Sequence, residues 1–404
     1  MLKPPSNNYD VIIAGGGPAG ASAAIHLARG GVRVLLIEQK KFPRQKLCGE
    51  FISPECQAHF EKLGVAGAMI SSGPALLEET VFYSSKGHHV TVPSKWFGGR
   101  AAYGLSRAVM DEVLLRCAQH NGVVVHEGAS ITEPLLDGER GERVVGLRVK
   151  IDGQPYDYRA PITIDATGRA RILSRVVSRK LGDGNGSKRP TLVAFKAHLK
   201  NTRVAAGACE IYFYPGGYGG LSTVEANTSN LCFIIGAESV KRYNSDPNVV
   251  LRECVMKNRR AADTLETAEL SSEWLSASWE RFGRQRPSPA PGLLAIGDSA
   301  AFIDPFTGSG MLMALESGEL VAQTILRFQS DSFGRLESHY TAAYRQAFDS
   351  RLRICGLLRR AAFSPRLAEL GIAICGASER ARNLLARATR AHPKSHKFLP
   401  QKLF

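Results

Sequence analysis

Residues 9–38, "YDVIIAGGGPAGASAAIHLARGGVRVLLIE", constrain the fold more than any other stretch of this chain. Tyr9 to Ala14 is a short apolar run rich in Val and Ile, the composition of a strand buried on both faces of a parallel sheet. Gly15-x-Gly17-x-x-Gly20 follows. An alanine-rich helical stretch from Ala21 to Arg29 then ends at Gly30-Gly31, and a second apolar strand, Val32 to Ile37, closes with Glu38. This is one strand–helix–strand unit in about thirty residues. Gly15 permits the tight turn, Gly17 lets backbone approach a pyrophosphate, and Gly20 lets helix and strand pack closely. Free N–H groups at the helix start attract phosphates, and Glu38 can accept from a ribose. The full constellation predicts a dinucleotide site, with Pro18, Ala19 and Gln39 beside it.

At 404 residues the chain has room for two or three domains, and 44% hydrophobic residues suffice for a core. Ser106 is placed to cap a helix running to Asn121, with Val109, Val113 and Cys117 recurring every four residues on one face. "VVVH" reads as a strand, "VVGLRVKIDGQPYDYRA" as a hairpin turning at Asp152-Gly153, and "ITIDATG" as a buried strand ending in a glycine turn. From residue 190 to 286 strand-length pieces alternate with Gly, Pro and Asn, the pattern of a mainly antiparallel sheet inserted in the first domain. "GLLAIGDSAAFIDP" returns to a buried strand and glycine turn, and Gly310 to Phe328 reads as a strong helix. The fold class expected is α/β: a Rossmann-type dinucleotide domain, an inserted antiparallel substrate domain and a C-terminal helical region. Its cofactor domain is expected in three parts, 1–75, 100–189 and 287–330. The substrate domain takes a hairpin at 76–99 and the sheet at 190–286, and basic helices occupy 331–404.

The second glycine motif chooses among dinucleotides. In "LLAIGDSAAFIDPFTGSGM", Gly297 and Asp298 follow a buried strand, where Asp298 can bind a ribitol or ribose hydroxyl. Gly308 and Gly310 begin a helix whose N–H groups would stabilise negative charge on a reduced flavin ring. Two such ends nearly 300 residues apart, with Arg107 and "DATG" between them, fit an extended FAD better than NAD.

These motifs, with "KLCGEFISP" at 46–54 and "LSRAVMDEVLL", resemble the FAD-dependent oxidoreductases of the para-hydroxybenzoate hydroxylase superfamily, in particular its geranylgeranyl reductase-like group, over roughly residues 8–330. The resemblance implies a β-sheet substrate domain over an FAD domain, reduction by NAD(P)H as a transient reductant, and Arg107 directed at the FAD phosphates or ribose. Ile131, Gly168, Pro305 and Met311 are further expected cofactor contacts. It puts Cys48 and Gly49 near the flavin. Cys48 would there tune the potential, touch substrate or give a proton, or simply pack under the ring, while Glu50 would bond FAD or cap the helix after Ser53-Pro54. In "EIYFYPGGYGG", Tyr212 and Tyr214 share one strand face and stand where the reductases line their substrate channel, as proton donors or as sheet packing. The glycine pairs at 216–217 and 219–220 suggest a tight or mobile turn.

The implied reaction is reduction of a C=C bond in an isoprenoid or similar lipid. The alternative is monooxygenation of an aromatic or polyketide-type substrate, against which stand Ala301, Phe302 and Met311 where the hydroxylases usually have His and Asn. A halogenase or a carrier of electrons ranks lower, since the paired-tryptophan strand and the usual lysine context of halogenases are missing. The eight cysteines show no CxxC or zinc spacing and read as free thiols of a cytoplasmic protein, with no metal site. Formal net charge is +15, yet twelve Lys and Arg against two acids fall after residue 350. This basic, amphipathic tail suits contact with an anionic membrane periphery or an ordinary solvated helix pair. Nothing in it points to nucleic acid. A hydrophobic small molecule is the expected partner, on a monomer or homodimer.

Overall fold

The computed structural model describes residues 9–390 apart from 140, 181–190, 280–281 and 329–330. The expected tail beyond residue 390 lies outside the described residues. Five parallel strands form the cofactor-side sheet in the order Leu293–Ala295, Ile162–Asp165, Val11–Ala14, Val34–Glu38, Val124–Glu127. The helix after the first strand begins at Pro18, three residues before the alanine run. Proline suits the first helical turn, where its missing N–H costs nothing, and Gly17 stands at the N-cap. Two close approaches explain the glycine motif. A Cβ on Gly20 would sit 1.9 Å from the Gly15 carbonyl oxygen, and one on Gly15, whose φ is +109°, 2.4 Å from that of Ala166.

The helix Arg107–His120 is capped by Ser106, whose hydroxyl accepts from Val109 N–H. Its buried face is Met110, Leu114, Leu115 and Ala118, one residue round from the Val109–Val113–Cys117 stripe, which is only half-buried. The reason is Asp111, a carboxylate taken into the interior as a partner for two arginines. Periodicity of apolar residues cannot register that.

The second sheet runs Glu269–Leu270, Leu192–Lys200, Ser229–Gly236, Gly217–Thr223, Ala208–Tyr214, Glu79–Tyr83, His89–Pro93, with Leu275–Trp279 also paired to Leu192–Lys200. The hairpin at 79–93 thus joins strands more than a hundred residues later, and its contact with Ala208–Tyr214 is the sheet's parallel pairing. Gly216 turns, but Gly217, Gly219 and Gly220 belong to a strand. A Cβ on Gly217 would meet the Ile234 carbonyl at 2.0 Å, so packing rather than turning requires glycine there.

Helix Gly310–Phe328 has the bounds the sequence predicts and packs on Pro18–Arg29, with Ser22 donating to the Leu315 carbonyl and Ser317 accepting from Gly297 N–H. Three further helices, Phe333–Ala362, Pro365–Ala377 and Glu379–Ala388, lie beside the second sheet. Among the described residues no helix is long and apolar enough to cross a membrane.

Candidate active site: two cavities that meet

The strand ends and glycine turns of the parallel sheet surround a cavity of about 440 Å³. Every residue that the sequence singles out for cofactor contact lines it, except Gly20, whose role is the close packing above. Sequence reasoning found Arg107 but missed the other cations, Arg44, Lys46 and Arg169. Asp111 is fully buried and bridges two guanidinium groups: Arg107 donates to it at 2.8 and 2.7 Å, and Arg44 at 2.9 Å. Both arginines thereby reach the start of the Pro18–Arg29 helix, each with Nη2 3.8 Å from where a Gly17 Cβ would stand. Lys46 and Arg169 line the same cavity, and Arg169 stacks 4.7 Å from the Trp279 ring centroid with Nη1 buried and unbonded. The charged loop "KKFPRQK" and "GRAR" after strand Ile162–Asp165 were the available signals.

Glu38 is buried and accepts from Gly16 N–H and Lys40 N–H, each at 2.9 Å. Asp165 is saturated by Thr167, Ser174 and Ser299 and locks "DATG" to "GDSA". Asp298 differs. Burial raises its carboxyl above the usual range, against the pull of Arg169, Arg107 and Lys46. No described side chain or backbone group hydrogen-bonds it. A cationic clamp at a helix N-terminus, an acid at each end and one acid without a donor fit a pyrophosphate flanked by hydroxyl-bearing sugars.

A sequence profile for the family described as FAD dependent oxidoreductase matches residues 10–205. The chain is an FAD-dependent oxidoreductase. It is 26% identical over 326 residues to the digeranylgeranylglycerophospholipid reductase of Methanosarcina mazei, covering 78% of this chain and 75% of that one. It is 27% identical over 334 residues to a tryptophan 2-halogenase of Chondromyces crocatus, covering 78% of this chain but only 60% of the halogenase. Among solved structures, a triple mutant of the flavin-dependent brominase Bmp2 superposes with a TM-score of 0.78 at 21% identity, over 96% of this chain and 97% of that one, which is a likeness of fold. FAD is the cofactor the family carries. In this chain Arg44 and Arg107 would hold its pyrophosphate, Glu38 and Asp298 its hydroxyls, and Gly308 and Gly310 would border its ring.

Glu50, in "CGE", lines the cofactor cavity but does not cap the helix after Ser53-Pro54, and its carboxylate is taken up by other partners. It is fully buried at φ +53°. Its Oε1 accepts from Lys196 Nζ at 2.5 Å and from Arg107 N–H at 2.9 Å, and its Oε2 from His198 Nε2–H at 2.7 Å. Burial would raise this carboxyl, but the His198 hydrogen bond and the Lys196 charge outweigh it and hold it below the usual range. Lys196 and His198 sit two apart on strand Leu192–Lys200, so "CGE" fastens the cofactor loop to the second sheet. The Cys48 carbonyl accepts from Asn230 Nδ2 at 3.1 Å and its sulfur from Glu50 N–H at 3.4 Å, and the residue lines the cofactor cavity.

The second cavity, about 230 Å³, lies between the second sheet, the loop Pro305–Gly308 and the last three helices. It meets the first at Gly49, Phe51, Cys232, Pro305 and Gly308, which line both. The sheet offers it Thr80, Phe82, Cys209, Ile211, Phe213, Tyr218, Cys232 and Ile234. Tyr212 and Tyr214 are therefore on the wrong face. They are buried in the core under the sheet, where Tyr212 donates to Glu210 at 2.7 Å and Tyr214 to the Ile234 carbonyl at 3.0 Å. Strand alternation puts residues 211 and 213 on the pocket side instead. The phenol in the pocket is Tyr218, whose hydroxyl donates to Asp304 Oδ1 and accepts from Phe306 N–H at 3.0 Å. Burial raises the Asp304 carboxyl, and its buried Oδ2 has no partner among the described residues. Burial also pushes the Cys209 and Cys232 thiols up to about 12, so both stay protonated.

Proposed function

We propose that the protein reduces a C=C bond in a hydrophobic, isoprenoid-like small molecule, with NAD(P)H as the transient reductant. The observation that carries this reading is an apolar pocket meeting the cofactor cavity, with the Tyr218–Asp304 pair beside the junction. Saturating a C=C bond takes two electrons and two protons, and reduced FAD supplies the electrons and one of the protons. The other proton leaves Tyr218 Oη. Phe306 N–H holds the phenolate that remains, and Asp304, whose carboxyl burial raises, passes a solvent proton back to it. Phe82, Phe213 and Phe306, with ring centroids 5.5 Å apart for each pair that includes Phe306, exclude water from the wall.

Anaerobic turnover tests this. Protein loaded with FAD and reduced by NADPH is mixed with geranylgeraniol, and products gaining two hydrogens per double bond are expected by mass spectrometry. The likeness to a halogenase supports a second reading. A product that appears only with oxygen and bromide, and carries bromine, would replace the first reading with that one.

We assign the outer face of the last three helices to an anionic membrane surface. Leu357, Leu370, Ile374 and Leu384 are exposed there among the exposed Arg353, Arg360, Arg366, Arg380 and Arg387, and the partly surfaced Leu367 and Leu385 also line the apolar pocket. Each arginine near such a surface contributes about 1 kcal/mol. Vesicles with phosphatidylserine are expected to sediment the protein, and phosphatidylcholine vesicles not. L370D/I374D/L384D should abolish the difference. Equal sedimentation with both vesicles overturns the assignment, and a dimer broken by the same variant gives the face to a second copy.

A further inference from the structure

Arg390 is a charge in the wrong company for a purely apolar pocket. It follows helix Glu379–Ala388, and its side chain is 10% exposed. Among the described residues, the buried Nε and Nη1 have no hydrogen-bond partner. Glu55 Oε1 stands 3.7 Å from Nε, too far for a hydrogen bond, and the Phe97 ring centroid lies 4.3 Å from the guanidinium carbon. Nη2 points to the junction of the two cavities, 3.9 Å from where a Cβ on Gly308 would be. The segment is tied down there, since Ser309 donates to the Thr389 carbonyl at 3.2 Å. An unbonded guanidinium enclosed in this way is costly unless something completes it. Glu55 offers countercharge but no bonds.

We propose that Arg390 binds an acidic group of the substrate, so that the substrate is an apolar molecule carrying one carboxylate or phosphate, held acid-first at the cavity junction. A guanidinium presents paired N–H donors that match either oxyanion. Arg382 lines the same pocket with its Nε also buried and unbonded, and gives a second cation for the more highly charged phosphate. The inference rests on the apolar pocket being the substrate site, but not on which reaction follows.

Equilibrium dialysis of FAD-loaded protein against farnesoic acid, farnesyl phosphate, farnesol and the fully saturated farnesoic acid analogue tests it. The acid or the phosphate is expected to bind at least about tenfold more tightly than farnesol, the yield of one or two charge-assisted hydrogen bonds. Whichever of the two binds better identifies the group. R390M should remove that margin and leave farnesol binding unchanged, and R390K should keep part of it. Glu55→Gln, which removes the competing carboxylate, should tighten the acid and not the alcohol. Equal binding of acid and alcohol to the unaltered protein overturns the proposal. So does parallel loss of every ligand in R390M that still holds FAD and melts normally. The saturated acid keeps the two readings separate: it should bind as its unsaturated parent does even if no double bond is ever reduced.

Discussion

Glu50→Leu is expected to lower the stability of the protein by about 3–5 kcal/mol, the cost of leaving a buried charge unpaired. The loss falls on Lys196, which is 2% exposed and among the described residues then keeps only Gln45 as a side-chain acceptor. Urea unfolding of the FAD-free protein would measure it. Lys196→Met alone should cost a comparable amount, because it strands Glu50. The double variant should cost less than the sum, since two apolar side chains can replace a buried pair at little expense. Additive losses would show that the contact is not a coupled pair. The pH dependence has a definite sign. The Glu50 carboxyl lies below its ordinary range in the folded protein. Its contribution is therefore complete above the unfolded carboxyl pKa of about 4.3 and is lost as pH falls through the lower folded value. Unaltered protein should lose stability on acidification more steeply than Glu50→Leu.

Tyr218→Phe is expected to lower kcat of the proposed reduction by about 10²-fold or more, the usual scale for removing a positioned proton donor. KM should change little, since the phenyl ring keeps the wall intact. The pH profile separates this from mere damage to packing. Asp304 is raised by burial, so turnover should fall as pH rises through its value, and Asp304→Asn should flatten that limb. A Tyr218→Phe protein with unchanged kcat would remove the phenol from the mechanism and leave a solvent proton as the source.

The two cases also separate what was legible in the sequence from what was not. The cofactor cradle was legible because it is local. Gly15, Gly17, Gly20 and Glu38 act within one strand–helix–strand unit, and the backbone contacts that require the glycines lie within that unit or on its neighbouring strand. The same holds for the turn at Asp298 and the start of the Gly310 helix. The arginine clamp was half legible: the loop's charge was visible, but not that Asp111 would be buried to aim Arg44 and Arg107 together.

The substrate side depended on tertiary structure. Spacing put Tyr212 and Tyr214 on one face of a strand, and both readings of that face were open. Which face met the pocket was decided by the helices at 237–265, which cover the tyrosine side, and by the loop Pro305–Gly308 with the last helices, which cover the other. Glu50 meets Lys196 and His198 about 150 residues away, and Arg390 reaches the neighbourhood of Gly308 from beyond four intervening helices. No period or motif encodes such meetings. The sequence by itself determined the cofactor and the scaffold that grips it, because backbone sterics and strand burial act over a few residues. The tertiary structure decided which side chains face the substrate, because that is set by the packing of one element against another distant in the chain.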